Sequence, residues 1–299
     1  MDAALADAGL DQKLLDELET VAVELGRLAG AEIQSTLGKV LEVEYKGSAA
    51  EAAALRDPVS EVDRKVEILI RARLADSFPG HDILGEESEE RPGRESAFVW
   101  AVDPIDGTTN FVNGFPLFAA SIGVLHRHEP VAGAVWCSAS HALRTGVYHA
   151  CKGGKLQFDG ETIDHVGNPA VRRWLAGEPE ATRVEGMPWD VRKTGSAAIE
   201  CAFVAAGLLR VARFERPNVW DIAGGLALVR ATEGAIFEHD GKGWRAFERF
   251  EAVAHSSEAL ADLRHWRRPL IIGQPDAVEQ MGVLLEPGPA SSPRPSARN

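Results

Sequence analysis

The sequence predicts a layered α/β (α+β) protein whose two halves meet at a cleft. Three observations carry that expectation. Strand-like runs of antiparallel type, punctuated by Gly and Pro, alternate with amphipathic helices, so sheets must pack between helical layers. The pattern restarts near residue 168, which divides the chain into a first half, 1–167, and a second, 168–286. At 299 residues, 45% hydrophobic and 26% charged, the chain has ample material for a core and reads as globular rather than disordered.

Each element has its own signature. Leu14, Leu18, Val21, Ala22, Leu25, Leu28, Ala29 and Ile33 recur at helical spacing, with Asp11 before them and Gly38 after, which predicts a long amphipathic helix. Residues 40–45 alternate, apolar at Leu41, Val43 and Tyr45, like a strand. A small-residue loop over 47–54 leads to Ser60, which opens a second helix to about Ser77. Ile83-Leu84 and residues 98–102 are short apolar runs, each delivering carboxylates at its end. Residues 119–126, 131–137 and 146–150 read as strands, and Gly153-Gly154 as a hairpin turn. In the second half, 196–206 predicts an apolar helix, 209–214 a strand, 220–231 another helix, and 235–238 and 270–272 short strands. Residues 287–299, mostly Pro, Gly, Ser and Ala, are expected to be a disordered, dispensable tail. No internal repeat is evident.

The net charge of −13 is unevenly placed: residues 1–110 hold 24 acids against 11 bases, and the remainder 21 of each. A nucleic-acid binder needs Lys and Arg against phosphate, and an anionic lipid surface needs the same, so neither partner is expected. The longest apolar run, 201–209, is far too short to span a bilayer. The start, Met1-Asp2-Ala3-Ala4, lacks the features of a secretory signal, and Cys137, Cys151 and Cys201 form no Cys-x-x-Cys. A cytoplasmic protein with buried, reduced cysteines is the expectation.

Three groups of carboxylates are hard to explain as wet surface. Gly85-Glu86-Glu87-Ser88 follows one short strand, Asp103-Pro104-Ile105-Asp106-Gly107-Thr108-Thr109 follows another, and Trp220-Asp221 opens an apolar helix. In the second group Pro104 is expected to stop the strand ladder, with Asp106 about one turn beyond Asp103. Both carboxylates and the Ile105 carbonyl can then face one point, and Gly107-Thr108-Thr109 offers free N–H groups where a helix can begin. Oxygen donors suit a hard divalent cation and a helix N-terminus suits phosphate, which together describe metal-assisted phosphoryl chemistry. Other sites of that kind do not fit. An EF-hand loop needs an acid or amide where Ile105 stands, and Asp103 and Asp106 are three apart, not two as in an aspartyl-phosphate site. No Cys has an Arg six residues downstream, and the Walker and Gly-x-Ser-x-Gly motifs are missing. Asp63 has two readings at this stage, because Ser60-x-x-Asp63 before an apolar run is also a capping box.

These residues resemble the signatures of the inositol monophosphatase family of Mg²⁺-dependent, lithium-sensitive phosphatases. Its two signatures stand as Trp100-Ala-Val-Asp-Pro-Ile-Asp-Gly-Thr-Thr-Asn-Phe111 and Val219-Trp-Asp-Ile-Ala-Gly-Gly225. Supporting matches are Ser60-Glu-Val-Asp63-Arg-Lys-Val-Glu67, Gly85-Glu-Glu-Ser88, Gly195-Ser-Ala-Ala-Ile-Glu200 and Val204-Ala-Ala-Gly207, in the family's order. The resemblance implies a layered αβαβα sandwich of the inositol monophosphatase / fructose-1,6-bisphosphatase type and two to three Mg²⁺ ions per site. It implies that Glu86, Asp103 and the Ile105 carbonyl bind one ion and Asp103, Asp106 and Asp221 another, with Glu87 behind them. Asp63 and Thr108 would activate water, and the N–H groups of Gly107 and Thr108 would cradle phosphate. Ser196, Ala197, Glu215 and Asp221 would face the alcohol. The first half then carries most metal ligands, while the second supplies Asp221 and the substrate pocket. A small phosphorylated substrate and a homodimer are implied in the same way.

The chain departs from the family in two places. About six extra residues separate Lys46-Gly47-Ser48 from Asp63, leaving Lys46 open between a loop over the metal site and a solvated lysine. Where the family has a short strand with Asp-Gly and an aromatic residue, this chain has Leu208 to Arg216, with Glu215 one residue closer to Asp221. Arg210, Arg213 and Arg216 there are either a strand's wet edge or, for Arg213 or Arg216, partners of a second anionic group on the substrate. Inositol 1-phosphate or a related polyol or sugar phosphate is the expected substrate. Histidinol phosphate, fructose bisphosphate, adenosine bisphosphate or NADP, and a non-catalytic metal-binding regulator, are the alternatives.

Overall fold

The structure, a computed structural model, describes residues 10–45, 58–163, 170, 174–178, 188–253 and 262–285. Lys46, the 47–54 loop and the 287–299 tail lie outside the described residues. In chain order the elements are α1 (Gln12–Thr36), β1 (Val43–Tyr45), β2 (Pro58–Ser60), α2 (Glu61–Ser77), β3 (Asp82–Gly85), β4 (Phe98–Asp106), α3 (Thr108–Val112), β5 (Ala119–His126), β6 (Glu129–Cys137), β7 (Gly146–Cys151), β8 (Gln157–Phe158) and β9 (Glu161–Thr162). Then come β10 (Leu175–Gly177), β11 (Asp190–Arg192), α4 (Ala197–Ala205), β12 (Val211–Phe214), α5 (Val219–Ala231), β13 (Ala235–His239), β14 (Trp244–Ala246), a 3₁₀ turn (Leu263–His265), β15 (Leu270–Gly273) and α6 (Pro275–Leu285).

Strands β3 to β9 lie side by side in sequence order as a seven-stranded sheet, antiparallel except for the parallel pair β3–β4. A six-stranded sheet runs β11-β10-β12-β15-β13-β14, with β10 parallel to both its neighbours. The period-two alternation of β4 assigns the layers. Trp100 and Val102 pack with Leu18, Leu25 and Ile33 of α1 and Val66 and Ile70 of α2. Val99 and Ala101 face the other way, into a core with Ile199 and Ala202 of α4 and Ile222 and Leu226 of α5. That middle core also takes Ala212, Phe214, Leu270 and Ile272 from the second sheet, whose far side (Val211, Ile271) packs on Ala277, Val278 and Met281 of α6. The layers are thus helix, sheet, helix, sheet, helix, the αβαβα sandwich expected from the sequence.

Glycine lets the middle helices lie close. A Cβ on Gly133 would sit 2.3 Å from the Gly224 carbonyl oxygen, and one on Gly123 would sit 2.5 Å from the Gly224 nitrogen. Helix α5 therefore rests its backbone on β5 and β6, which fixes the height of its first turn, where Asp221 stands. The three cysteines are free and buried.

Two expectations need correction. Pro104 does not stop the ladder: β4 continues to Asp106, and the register slips between Asp103, opposite Ser121, and Asp106, opposite Ala119. One extra residue is bulged out where Pro lacks an N–H to give. The predicted first strand is also shorter, beginning at Val43, and Val40 is fully exposed.

Candidate active site

The bulge in β4 decides the geometry of the site. Ser121 and Ala119 are two apart on β5 and share a face, so their partners Asp103 and Asp106 project to the same side despite being three apart. That side is the one carrying α4 and α5. Gly107, at φ +89°, then turns the chain into the short helix α3. Phe111 N–H is the first to return to the preceding turn, bonding the Gly107 carbonyl at 3.0 Å, which leaves the N–H groups of Thr108 and Thr109 facing outward at the helix start.

Four further segments converge there. Strand β3 ends at Gly85, and Glu86 N–H still bonds the Val102 carbonyl at 3.2 Å, so Glu86 sits beside Asp103. Helix α4 points its N-terminus at Asp106: Ala198 N–H donates to Asp106 Oδ2 at 2.6 Å, and Ser196 Oγ donates to the same oxygen. Helix α5 begins with a capping box in which Asp221 accepts from Asn218 N–H at 2.8 Å. Helix α2 begins with another, where Asp63 Oδ2 accepts from Ser60 N–H (2.9 Å) and Ser60 Oγ (2.5 Å). The two readings of Asp63 are compatible, since its other oxygen accepts from Thr108 Oγ1 at 3.1 Å. Thr108 Oγ1 also lies 2.8 Å from the Ile105 carbonyl.

Glu86, Asp103, Ile105, Asp106, Gly107, Thr108 and Asp221 line one polar cleft of about 200 Å³, together with Thr109, Gly195 and Asn218. Asp63 reaches this cleft only through Thr108. Glu87 stands behind it, its N–H held by the Glu67 carboxylate at 2.7 Å. Ser196 is buried with its hydroxyl committed to Asp106 and to Ile199 N–H, and neither it nor Ala197 lines the cleft. Glu215 is ion-paired with Arg213 away from it. The sequence reading gave no role to Asn218, Gly195 or Glu67. Asn218-x-x-Asp221 was visible as a cap pattern, and Glu67 one helical turn after Asp63, but neither spacing announces what it touches.

Burial and mutual repulsion dominate the electrostatics. Desolvation, then the charges of Glu86, Asp106 and Asp221, push Asp103 well above the ordinary carboxylate range. Asp221 is raised likewise by burial and by Asp106 and Glu86. Burial lifts Asp106 to about 7 against the hydrogen bonds from Ser196 and Ala198. Asp63 rises to about 6, by burial first and Glu86 in addition. Asp103 Oδ1 is buried with no hydrogen-bond partner. Among the described residues, no three His, Cys, Asp or Glu side chains enclose an ion as they stand. Even so, a buried, unpartnered carboxylate oxygen among mutually repelling acids is a donor set suited to a hard divalent cation.

Acids gathered beside helix N–H groups are suited to taking phosphate off an ester, the chemistry of a phosphatase. Comparison with known proteins narrows this. Residues 14–268 match the model of the inositol monophosphatase family, and the chain belongs to that family. It is 35% identical over 240 residues to an inositol-1-monophosphatase of Mesorhizobium japonicum, covering 75% of this chain and 86% of that protein. Among solved structures it resembles the extragenic suppressor protein suhB of Bartonella henselae (TM-score 0.66, 25% identity, 93% of this chain and 100% of that one). It also resembles the Thermotoga maritima IMPase (TM-score 0.65, 26% identity, 92% and 99%).

Proposed function

We propose that this chain hydrolyses a small phosphomonoester, inositol 1-phosphate or a related polyol or sugar phosphate, with Mg²⁺ and without a covalent intermediate. Glu86, Asp103, the Ile105 carbonyl, Asp106 and Asp221 would hold two to three Mg²⁺ ions. Bound there, Mg²⁺ supplies a lowered pKa for water, polarisation of the phosphate and stabilisation of the leaving alkoxide. The chain's own residues do the rest. Thr108 Oγ1 has one proton and two acceptors in reach, Asp63 Oδ1 and the Ile105 carbonyl. Donating to Asp63, it turns a lone pair outward to accept from water, so that as water gives a proton to Thr108 Oγ1 the hydroxyl's own proton passes inward. Asp63, lifted to about 6 by burial, accepts it near neutral pH. The N–H groups of Gly107 and Thr108 hold phosphate oxygens, and Asp221 meets the alcohol. The family resemblance carries further expectations of lithium sensitivity, a cytoplasmic location and a homodimer. Among the described residues no helix is long and apolar enough to cross a membrane.

The observation that carries this reading is the orphaned Asp103 Oδ1 among three repelling acids, Glu86, Asp106 and Asp221. Phosphate release over a broad phosphomonoester panel tests it. Mg²⁺-dependent turnover is expected, with Asp103→Asn lowering kcat by at least about a hundredfold. If the wild type turns over nothing in the panel, the reading fails in favour of a metal-binding regulator.

A further inference from the structure

Most of the described arginines of this acidic protein are matched to carboxylates. Arg210 pairs with Asp276 at 2.6 Å and Arg213 with Glu215, so two of the three arginines beside the expected alcohol pocket are committed. Arg216 is different. It is exposed and makes no ion pair with any described residue, and it lies close enough to Arg267 to repel it. Arg267 in turn lies close enough to Asp221 to be attracted by it and close enough to Arg264 and Arg216 to be repelled by both.

The wall that holds these groups is built. The guanidinium of Arg264 lies 5.1 Å and that of Arg267 5.6 Å from the centre of the Trp220 ring, the residue next to Asp221. Arg264 is tied down by the carbonyls of Gly85 (2.7 Å) and Ser88 (2.6 Å), and has the charges of Glu89, Asp262 and Glu67 around it. Among the described residues Arg267 is fixed only through Nη1, which donates to the carbonyls of Arg264 (2.9 Å) and Trp266 (2.6 Å), so that none of them takes its other two nitrogens. Trp220 itself is buried, and its indole N–H has no acceptor among the described residues. Two guanidiniums that repel each other, one of them stacked beside Asp221 and neither in an ion pair among the described residues, suit an anion.

We infer that Arg216 and Arg267 form a subsite for a second anionic group, a phosphate or carboxylate, on the alcohol side of the ester. The preferred substrate is then a doubly anionic polyol or sugar ester. This rests on the phosphatase reading, because it is Asp221 that places the subsite beside the leaving alcohol. Arg213, the other candidate on sequence grounds, is spent on Glu215.

The test uses matched pairs: inositol 1-phosphate against inositol 1,4-bisphosphate, and fructose 1-phosphate against fructose 1,6-bisphosphate. In each pair the monophosphate is the internal reference. Wild type is expected to favour the bisphosphate in kcat/KM in at least one pair. The combined Arg216→Ala and Arg267→Gln variant should lower that preference about tenfold or more, mainly through KM. Restoring charge with Arg267→Lys should recover part of it, which loss of packing alone would not do. No preference in the wild type, or equal losses on both members of each pair, overturns the inference while leaving the phosphatase reading intact. If no ester is hydrolysed, that reading fails separately, and calorimetric titration of the same pairs decides the subsite. Tighter binding of a bisphosphate that the double variant loses supports it; equal binding of both members rejects it.

Discussion

Single buried acids set the pH response of this molecule. Glu200 on α4 is 3% exposed, and its Oε1 accepts from Thr194 Oγ1 at 2.8 Å and Thr194 N–H at 3.3 Å. Burial raises it to about 7 against those hydrogen bonds, with Asp106 and Glu178 adding repulsion. Its folded value lies above its ordinary 4.5, so its stabilising contribution is whole below pH 4.5 and is lost as the pH rises through 7. Glu200→Gln keeps the shape and the acceptor but cannot ionise. The variant should match the wild type at pH 4.5 and exceed it at pH 8 by on the order of 2 kcal/mol. Urea unfolding at the two pH values reads this; parallel curves would rule it out. The neighbouring Ser196 shows why residue roles were only partly legible. Gly-Ser-Ala announces a helix start, but not that the hydroxyl would turn inward to Asp106. Asp103 and Asp106 were legible as a converging pair, but the bulge that brings both to one face was not, because the Pro between them reads as the end of a strand.

At the scale of elements, α5 is the part on which the cleft depends. Its backbone at Gly224 lies against Gly123 and Gly133, where a Cβ on either strand residue would run into it. Gly133→Ala would place a methyl 2.3 Å from a backbone oxygen, which no side-chain rotation relieves. It is expected to cost about 1–3 kcal/mol of stability and to lift Asp221 away from the other acids. Mg²⁺ affinity, followed as a metal-dependent rise in Tm, should fall in the same variant. Undiminished Mg²⁺ stabilisation would show that the close packing does not position Asp221. The long elements were readable from periodicity, since each buries one clear face. The short ones were not: β10, β11 and β14 are three residues each, too short for alternation to register. Helix α6 passed unnoticed although Pro275 at its first position and Ala277, Val278 and Met281 along one face mark it. Its buried stripe is narrow, because it covers only the outer side of the second sheet.

Across the whole molecule, the loop that carries Glu86 is held from both sides of the sandwich. From the first side, Glu67 of α2 accepts Glu87 N–H and Ser88 N–H, and Arg71 donates to the Ser88 and Glu90 carbonyls. From the other, Arg264 bonds the Gly85 and Ser88 carbonyls, and Asp262 takes Arg91 at 2.6 Å and Arg94. Arg91 bridges back to the fully buried Asp82 on β3. The chain segment 262–264 therefore couples Glu86 to the region of Trp220 and Asp221. Asp262 falls to about 2, because the hydrogen bonds of Arg264 N–H, Arg94 and Arg91 outweigh its burial. A depressed carboxylate stabilises the fold above its ordinary 3.8 and loses that contribution as the pH falls towards 2. Asp262→Asn should thus cost about 2 kcal/mol at pH 7, and the gap to the wild type should narrow below about pH 4. Because the severed network holds Glu86 and Asp221 in register, the same substitution should weaken Mg²⁺ binding, although Asp262 does not line the cleft. Calorimetric titration of Mg²⁺ at pH 7 separates the two effects. A stability loss with wild-type Mg²⁺ affinity would mean that the bridge fastens the sandwich together without setting the distance between its acids.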